Sequence, residues 1–320
     1  MTRVQTLKHL IRWGIRLVPN RVGAYRFFTS LSPAVVRLPP GCQVDSLQLG
    51  DIQAYWLADE QACDSRVIIY LHGGGYVLGS PRTHLALAGS LARYARAQVL
   101  MPDYRLAPEW PYPAALDDAE LTYRYLLDHR VPPDRIVLAG DSAGGGLAMA
   151  LALRLRDDGL PTPAAVLGLS PWLDVTCSLS STWNQAHRDP LITAERIRLF
   201  ARQYAGSADP SSPTISPLHG TLERLPPMLI QVGSDEILLP ECRAFASKVH
   251  KAGGKIDLEV WPDMFHVWHF ASSVLPEARL ALRRLGRFVQ AQVPVTNAPE
   301  ALYARPESWT WRTVKQGTTS

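Results

Sequence analysis

The stretch RIVLAGDSAGGGLAMALALRLRD, residues 135–157, joins a short apolar run to a glycine-rich turn and a long Ala- and Leu-rich run. The run 135–139 predicts a buried strand, and residues 143–156 predict a helix. Between them, Gly140-Asp141-Ser142-Ala143-Gly144 fits G-x-S-x-G, the pattern of a sharp strand-to-helix turn that exposes a serine hydroxyl. Ser142 is either a nucleophile or a small residue in a turn. A nearby base, acid and oxyanion site would decide for the nucleophile.

Strand and helix patterns alternate on both sides of this stretch. Val67 to Leu71 (VIIYL) is continuously apolar, as expected of a buried central strand. Gly50-Asp51 is the turn signal of a hairpin over residues 47–56. The repeated units predict an α/β fold, with a mostly parallel central sheet and helices on both faces. Further strands are expected at residues 99–102, 165–169, 228–232 and 256–260, and further helices at 84–96, 114–128, 241–251 and 276–290.

Composition narrows the class of protein. The 320 residues are 47% hydrophobic and 19% charged, which is typical of a globular protein with a large core. The net charge of +4 is spread thinly, so we expect no nucleic-acid partner. The four cysteines have no CxxC spacing, so no metal site is expected and a reducing cytoplasm fits best. A disulfide between Cys42 and Cys63 stays open.

The N-terminal stretch MTRVQTLKHLIRWGIRLVP is interrupted by charged residues. It therefore lacks the apolar run of a signal peptide, and no uncharged stretch is long enough for stable membrane insertion. Its apolar residues fall at helical spacing. We expect a helix that lies on the core. The alternative is a basic amphipathic helix that touches a membrane surface.

A serine nucleophile needs a base, which in this chain order should follow the serine. His187 and His219 lie in a region that breaks the strand–helix rhythm, and His250 lies in a predicted helix. His266 comes just after the strand 256–260, at the sheet edge where parallel α/β folds collect their sites. We therefore expect His266 to be the base, and His269, one helical turn later, to pack or to lie at the surface.

The acid that orients the base should follow the strand 228–232. The sequence GSDEILL offers Asp235 and Glu236 there. Asp235 lies in the loop, whereas Glu236 adjoins the apolar Ile237 and Leu238. We expect Asp235 to accept the imidazole N–H and to hold the required tautomer.

An oxyanion site is predicted where His72-Gly73-Gly74-Gly75-Tyr76 follows the strand 67–71. Three glycines allow backbone N–H groups to face a developing negative oxygen, although such a loop could also be a simple turn. Ala143 would supply a further N–H. His72 and Asp141 are expected to brace the loops rather than to react.

With these motifs the sequence resembles the hormone-sensitive lipase-like family of α/β-hydrolases, the HGGG-type esterases. The resemblance covers about residues 65–290. It rests on HGGGY (72–76), YRLAPE (104–109), YPAALDD (112–118), GDSAGGG (140–146), SDEIL (234–238) and MFHVW (264–268). It implies a triad of Ser142, Asp235 and His266, with Gly74 and Gly75 favoured over Gly73 as loop donors. Arg105, Glu109, Asp117 and Asp118 are expected to form a structural polar network.

The resemblance also implies a helical cap over the site. The expected organisation is N-terminal cap helices in 1–40, a core in 41–179 and 216–293, a cap insertion in 180–215 and a tail in 294–320. An apolar, aromatic pocket suits short or medium acyl groups. The expected pocket residues are Tyr76, Trp172, Trp183, Phe200, Tyr204, Leu238 and Val267, of which Trp172 and Phe200 could instead be plain core.

The expected function is hydrolysis of short- to medium-chain carboxylic esters through an acyl-enzyme, without a cofactor. The expected partner is a small-molecule ester, and the branch implied is that of bacterial carboxylesterases. Lactone hydrolysis or removal of N-acetyl groups from small molecules would use the same triad and stays an alternative. A ligand-binding protein on this scaffold, as in the plant gibberellin receptors, tends to lack a complete triad. A homodimer through edge strands or the last helix is expected from the family alone.

Overall fold

The computed structural model describes residues 2–30, 38–60 and 62–295. In this part of the chain, eight strands form one sheet. In chain order they are Cys42–Leu49 (β1), Ile52–Asp59 (β2), Cys63–Leu71 (β3), Ala97–Pro102 (β4), Ile136–Asp141 (β5), Ala165–Leu169 (β6), Met228–Gly233 (β7) and Ile256–Trp261 (β8). The spatial order is β1-β2-β4-β3-β5-β6-β7-β8. Strands β1 and β2 are antiparallel to their neighbours and the rest are parallel, so the predicted mostly parallel sheet is confirmed.

The predicted hairpin is confirmed at one edge of the sheet. Leu49 pairs with Ile52, which leaves Gly50-Asp51 as the turn. The strands run well beyond the predicted 47–56. The extension was not evident because β1 lies at the edge and buries only Val44 and Leu49, so it carries a weaker apolar pattern than a central strand.

The helices of the described residues are Arg3–Arg16 (α1), Val22–Ser30 (α2), Pro81–Ala95 (α3), Ala114–Asp128 (α4), Ala143–Asp157 (α5), Ser180–Gln185 (α6), Ala194–Ala205 (α7), Leu239–Lys251 (α8) and Pro276–Gln292 (α9). Helix α3 begins three residues before the predicted start. Thr83 Oγ1 accepts from the backbone N–H of Ser80 at 3.0 Å, and Pro81 occupies the first helical position. Pro is favoured there because it lacks an N–H.

The central strands divide their side chains between two apolar layers. Ile68 and Tyr70 of β3 belong to the cluster that contains α3 and α9, whereas Val67, Ile69 and Leu71 belong to the cluster that contains α4, α5 and α8. Burial on both faces explains why VIIYL is apolar without alternation. The carboxyl ends of β3, β5, β6, β7 and β8 consequently lie along one edge of the sheet.

Helix α1 lies on this framework, as expected. Val4 is buried in a cluster with Met264, Phe265 and Trp268. Of the predicted structural network, the pair Arg105–Asp118 is confirmed at 2.7 Å. Glu109 and Asp117 instead bind Arg26 of α2 at 2.7 Å and Arg154 at 2.6 Å, so all four residues are structural but they form separate ion pairs.

Some predictions concern parts of the chain with a limited description. Residues 31–37 and 296–320 lie outside the described residues, as does the side chain of Cys63. Cys42 is a free thiol. None of the helices that the structure describes is both long and apolar enough to cross a membrane.

Candidate active site

Ser142 occupies the sharp turn between β5 and α5. Its backbone lies at φ 52° and ψ −122°, a conformation that L-residues rarely adopt. The flanking glycines are required by close packing. A Cβ at Gly140 would meet the carbonyl groups of Gly144 and Leu71, and a Cβ at Gly144 would meet those of Leu71 and His72. The turn therefore presents the serine hydroxyl at the carboxyl edge of the sheet.

His266 lies against this hydroxyl. Its Nε2 is 2.8 Å from Ser142 Oγ, and the residue is only 4% exposed. The loop after β8 supplies it, so the structure brings together the two residues that the strand ends predict. At this distance, the hydroxyl can donate its proton directly to the imidazole.

The acid beside His266 is Glu236, so the expectation for Asp235 is wrong. Glu236 Oε2 lies 2.9 Å from His266 Nδ1. Asp235 faces away, with Oδ2 accepting from Lys8 Nζ at 2.6 Å and Oδ1 lying 3.2 Å from Arg188 Nη2. Glu236 directly precedes Ile237 and Leu238, which are both buried. The Glu236 side chain is buried together with them.

Both oxygens of Glu236 have partners. Oε1 accepts from the backbone N–H of Gly233 at 2.6 Å and from Ser170 Oγ at 2.7 Å, which leaves Oε2 for His266. Ser170 was missed in the sequence. Its signal was its position directly after β6, at the same edge as the other site residues. These contacts fix the carboxylate and hence the imidazole plane.

A second buried carboxylate lies close to this pair. Asp189 accepts from the N–H groups of Leu191, Ile192 and Ile237 at 2.8, 3.0 and 3.1 Å. It thus ties the segment before α7 to the residue that follows Glu236. The sequence contains no signal for this role of Asp189, since an Asp before Pro commonly marks a turn.

The net effect of these charges is to raise the pKa of His266 above its ordinary value. Burial acts to lower this pKa, but the hydrogen bond and negative charge of Glu236 outweigh it, with smaller contributions from Asp189 and Asp141. An imidazole in this setting is a stronger base toward Ser142 than a buried histidine without carboxylates.

The glycine loop faces the nucleophile from the end of β3. Gly74 and Gly75 have φ of 128° and 63°, which suits glycine. Among the described residues, the N–H groups of Gly74, Gly75 and Ala143 have no acceptor, whereas that of Gly73 donates to Asp141 Oδ1 at 3.0 Å. Gly73 is therefore not an available oxyanion donor, contrary to its inclusion as the weakest candidate.

Asp141 and His72 brace the loop, as expected. Asp141 Oδ1 also accepts from Tyr70 Oη at 2.7 Å, and its Oδ2 lies 3.4 Å from His84 Nε2. His72 stacks on Tyr104, and burial lowers the pKa of His72 to about 3. Because His72 is neutral, it adds no positive charge beside the glycine loop. The hydrogen-bond donors of the loop are its backbone N–H groups.

A cavity of about 420 Å³ opens over Ser142 and His266. Of the predicted pocket residues, Trp172, Phe200, Leu238 and Val267 line it. Tyr76 and Tyr204 do not, because their rings stack on each other with centroids 3.5 Å apart and are about 1% exposed. Trp183 lies on α6, with its side chain outside the described part of the chain. Lining residues that the sequence analysis missed include Ile15, Tyr25, Arg196, Ile197 and Phe270.

The other histidines that follow Ser142 in the sequence lie away from its hydroxyl. His269 Nε2 contacts Gln231 Oε1 at 2.9 Å, and burial lowers the pKa of His269 to about 3. His219 binds Asp174, His250 contacts the carbonyl of Ile256, and His187 is exposed. His266 is therefore the histidine that the structure places at the serine.

A serine in a strand-to-helix turn, a histidine on its hydroxyl and an opposing glycine loop define the class of the α/β-hydrolases. Residues 68–270 match a family model whose description is the α/β-hydrolase fold. The chain belongs to this family, and within it to the hormone-sensitive lipase-like esterases. An acetyl-hydrolase of Streptomyces hygroscopicus is 45% identical over 253 residues, 79% of this chain and 83% of that protein.

Two further similarities agree with this class. An esterase of Acinetobacter venetianus is 36% identical over 251 residues, 78% of this chain and 82% of that protein. The crystal structure of an esterase from the bacterial hormone-sensitive lipase family superposes with a TM-score of 0.87 at 40% identity, covering 92% of this chain and 100% of that one. The protein is a carboxylic ester hydrolase.

Proposed function

We propose that this enzyme hydrolyses short- to medium-chain carboxylic esters through an acyl-enzyme on Ser142. The observation that carries the proposal is the continuous hydrogen-bonded line from Ser142 Oγ to His266 Nε2 and from His266 Nδ1 to Glu236, at 2.8 and 2.9 Å. Each atom in this line has the partner that nucleophilic catalysis by serine requires.

In the first half-reaction, Ser142 Oγ attacks the ester carbonyl while His266 accepts the hydroxyl proton. The negative oxygen that develops is stabilised by the free N–H groups of Gly74, Gly75 and Ala143. His266 then donates the proton to the alkoxy leaving group as the carbon–oxygen bond breaks. The alcohol departs and the acyl group remains on Ser142.

Water completes the reaction by the same route. His266 takes a proton from water, the resulting hydroxide attacks the acyl carbonyl, and His266 returns the proton to Ser142 Oγ. Glu236 stays ionised throughout and stabilises the imidazolium that forms twice in each cycle. The net reaction is ester plus water to carboxylic acid plus alcohol.

The acyl size follows from the cavity. A volume of about 420 Å³ with apolar walls from Trp172, Phe200, Leu238 and Val267 accommodates a small ester with a short or medium chain. We further propose that residues 1–40 and 180–215 form a cap over the core, because Ile15 and Tyr25 from the first segment and Ile197 and Phe200 from the second line the cavity.

Removal of an acetyl group from nitrogen is the second candidate, because the Streptomyces relative is called an acetyl-hydrolase without a stated bond type. Lactone hydrolysis uses the same acyl chemistry. A panel of 4-nitrophenyl esters of rising chain length, small lactones and N-acetyl amines separates these reactions by their relative kcat/KM.

The proposed mechanism is tested by Ser142→Ala. We expect kcat for 4-nitrophenyl acetate to fall by about 10⁴-fold or more, because the nucleophile is lost. A phosphonate ester should add its mass to Ser142 in the wild type and to no residue of the variant. Ser273→Ala, an exposed serine far along the chain, is the matched control. Near-normal turnover by Ser142→Ala would overturn the mechanism.

A further inference from the structure

The wall of the cavity contains a guanidinium that the proposed reaction does not use. Arg196, in the first turn of α7, lines the cavity together with Ser142 and His266. Among the lining residues that the structure describes, it carries the only permanent positive charge. The residue is only 8% exposed, so this charge is held largely away from bulk water.

The described contacts of Arg196 include no counterion for its charge. Nη1 donates to the carbonyl of Leu191 at 2.7 Å, and Cζ lies 4.3 Å from the centre of the Tyr25 ring. Nε is buried and has no hydrogen-bond partner among the residues that the structure describes. Within the described part of the chain, no carboxylate forms an ion pair with this side chain. A buried cation with one neutral acceptor and one aromatic face is incompletely stabilised.

The chemistry of the Arg196 guanidinium indicates that the group it binds in the cavity is an anion. A guanidinium binds carboxylates through charge-assisted and often paired N–H contacts, which are stronger than contacts to neutral acceptors. The rest of the wall is mostly apolar, so an anion that enters would find Arg196 as its natural partner. Aliphatic substrates would leave the guanidinium as it is in the free enzyme.

We propose that Arg196 is a specificity-determining residue that binds a carboxylate on the substrate, so that the enzyme prefers esters carrying an acid group. This inference rests on the proposed ester hydrolysis at Ser142. A purely structural role for Arg196, which joins α7 to Leu191 and Tyr25, predicts instead that its loss affects charged and neutral esters equally.

The test compares matched substrates that differ in one charge. For the acyl side, 4-nitrophenyl hydrogen glutarate is compared with 4-nitrophenyl methyl glutarate. For the alcohol side, 4-acetoxybenzoate is compared with methyl 4-acetoxybenzoate. The ratio of kcat/KM for the charged ester to that for the neutral ester is measured in each enzyme, so that intrinsic reactivity cancels between enzymes.

We expect Arg196→Met to lower this ratio by about tenfold or more for at least one pair, because hydrogen bonds to charged groups contribute on that scale. Arg196→Lys should keep part of the preference, since it retains charge but not the planar fork. Arg202→Met removes an exposed charge from the same helix and should leave the ratio unchanged. Unchanged ratios for both pairs in Arg196→Met would overturn the proposal.

Inhibition of the wild-type enzyme guards against a variant that does not fold. Benzoate should inhibit hydrolysis of 4-nitrophenyl acetate competitively and more strongly than benzamide, its neutral counterpart, and equal inhibition would count against the role of Arg196. Failure of the ester mechanism is recognised separately, by activity that survives in Ser142→Ala.

Discussion

Two regions enclose the cavity, and different forces hold them. The floor consists of Gly73–Gly75, Ser142, Glu236 and His266 at strand ends, where close backbone approach and hydrogen bonds fix the polar groups. The roof consists of Ile15, Tyr25, Arg196, Ile197 and Phe200 on α1, α2 and α7, where side-chain packing dominates. Backbone constraints tolerate few alternatives, whereas a packed apolar wall tolerates many. The floor therefore determines the reaction, and the roof is suited to determine which ester enters.

After the loss of the nucleophile Ser142 itself, the largest expected effect is at the acid of the floor. We expect Glu236→Gln to lower kcat by about 10³-fold or more, because an amide cannot stabilise the imidazolium and favours the wrong tautomer. Asp235→Asn is the matched control, since it changes the neighbouring carboxylate that pairs with Lys8 and Arg188. Its kcat for 4-nitrophenyl acetate should stay within a few-fold of wild type. The reverse ranking of the two variants would reinstate Asp235.

The floor and the roof also differ in how well they could be predicted from the sequence. The sheet, the hairpin and the positions of Ser142 and His266 could be predicted, because strand ends and glycine sterics leave signatures in local sequence. The choice between Asp235 and Glu236 could not, because it depends on which way a tight turn directs two adjacent carboxylates. The apolar neighbours Ile237 and Leu238 favour Asp235 when only the sequence is considered, whereas in the structure Glu236 is buried together with them.

The roof was predicted less well. Tyr76 and Tyr204 are aromatic, as pocket residues often are, but their rings stack on each other and do not line the cavity. Tyr25 and Arg196 line the cavity through contacts between helices that are distant in sequence. Local patterns contain no information on such pairings, so Phe200 could be predicted from its aromatic character, but Tyr25 and Arg196 could not.

The next effect tests the contact between floor and roof. A Cβ at Gly75 would meet the ring of Phe200, and the φ of 63° adds strain. We expect Gly75→Ala to lower kcat/KM for 4-nitrophenyl acetate by about 100-fold, because a displaced oxyanion donor is lost. Combining it with Phe200→Ala should restore part of the activity, since the obstructing ring is gone.

Gly159→Ala controls for strain alone. Gly159 has a similar φ of 68°, but a Cβ there would meet no atom of the described residues within 4 Å. This variant should be less stable than the wild type and equally active. If the double variant Gly75→Ala/Phe200→Ala were no more active than Gly75→Ala, the contact with the roof would not be what limits the loop.

A smaller effect is expected in the pH profile. The negative charge of Asp189 contributes, after Glu236, to the raised pKa of His266, and Asp141 contributes next. His266 must be neutral to accept the Ser142 proton, so activity is lost as pH falls through this raised pKa. Asp189→Asn removes one negative charge, which lowers the pKa of His266 and moves the acid limb of kcat/KM to lower pH.

The exposed Asp263, three residues before His266, provides the control for this shift. Asp263→Asn removes the same charge from solvent, where screening weakens its effect on the imidazole. Equal profiles for wild type and Asp189→Asn would show that Asp189 acts only through its hydrogen bonds to Leu191, Ile192 and Ile237.

The smallest effect on activity is expected at an ion pair between α1, which contributes to the roof, and Asp235, the residue before Glu236 of the floor. Lys8 of α1 binds Asp235 at 2.6 Å, and both side chains are 13% exposed. Lys8→Met should lower the free energy of unfolding by about 1–3 kcal/mol, because it leaves the largely buried Asp235 carboxylate with the half-exposed Arg188 as its remaining partner. Urea unfolding of Lys8→Met, Asp235→Asn and the double variant measures the coupling directly. If Lys8→Met instead lowered kcat as strongly as Glu236→Gln, the position of α1 would govern the acid loop, and the floor could no longer be treated as independent of the roof.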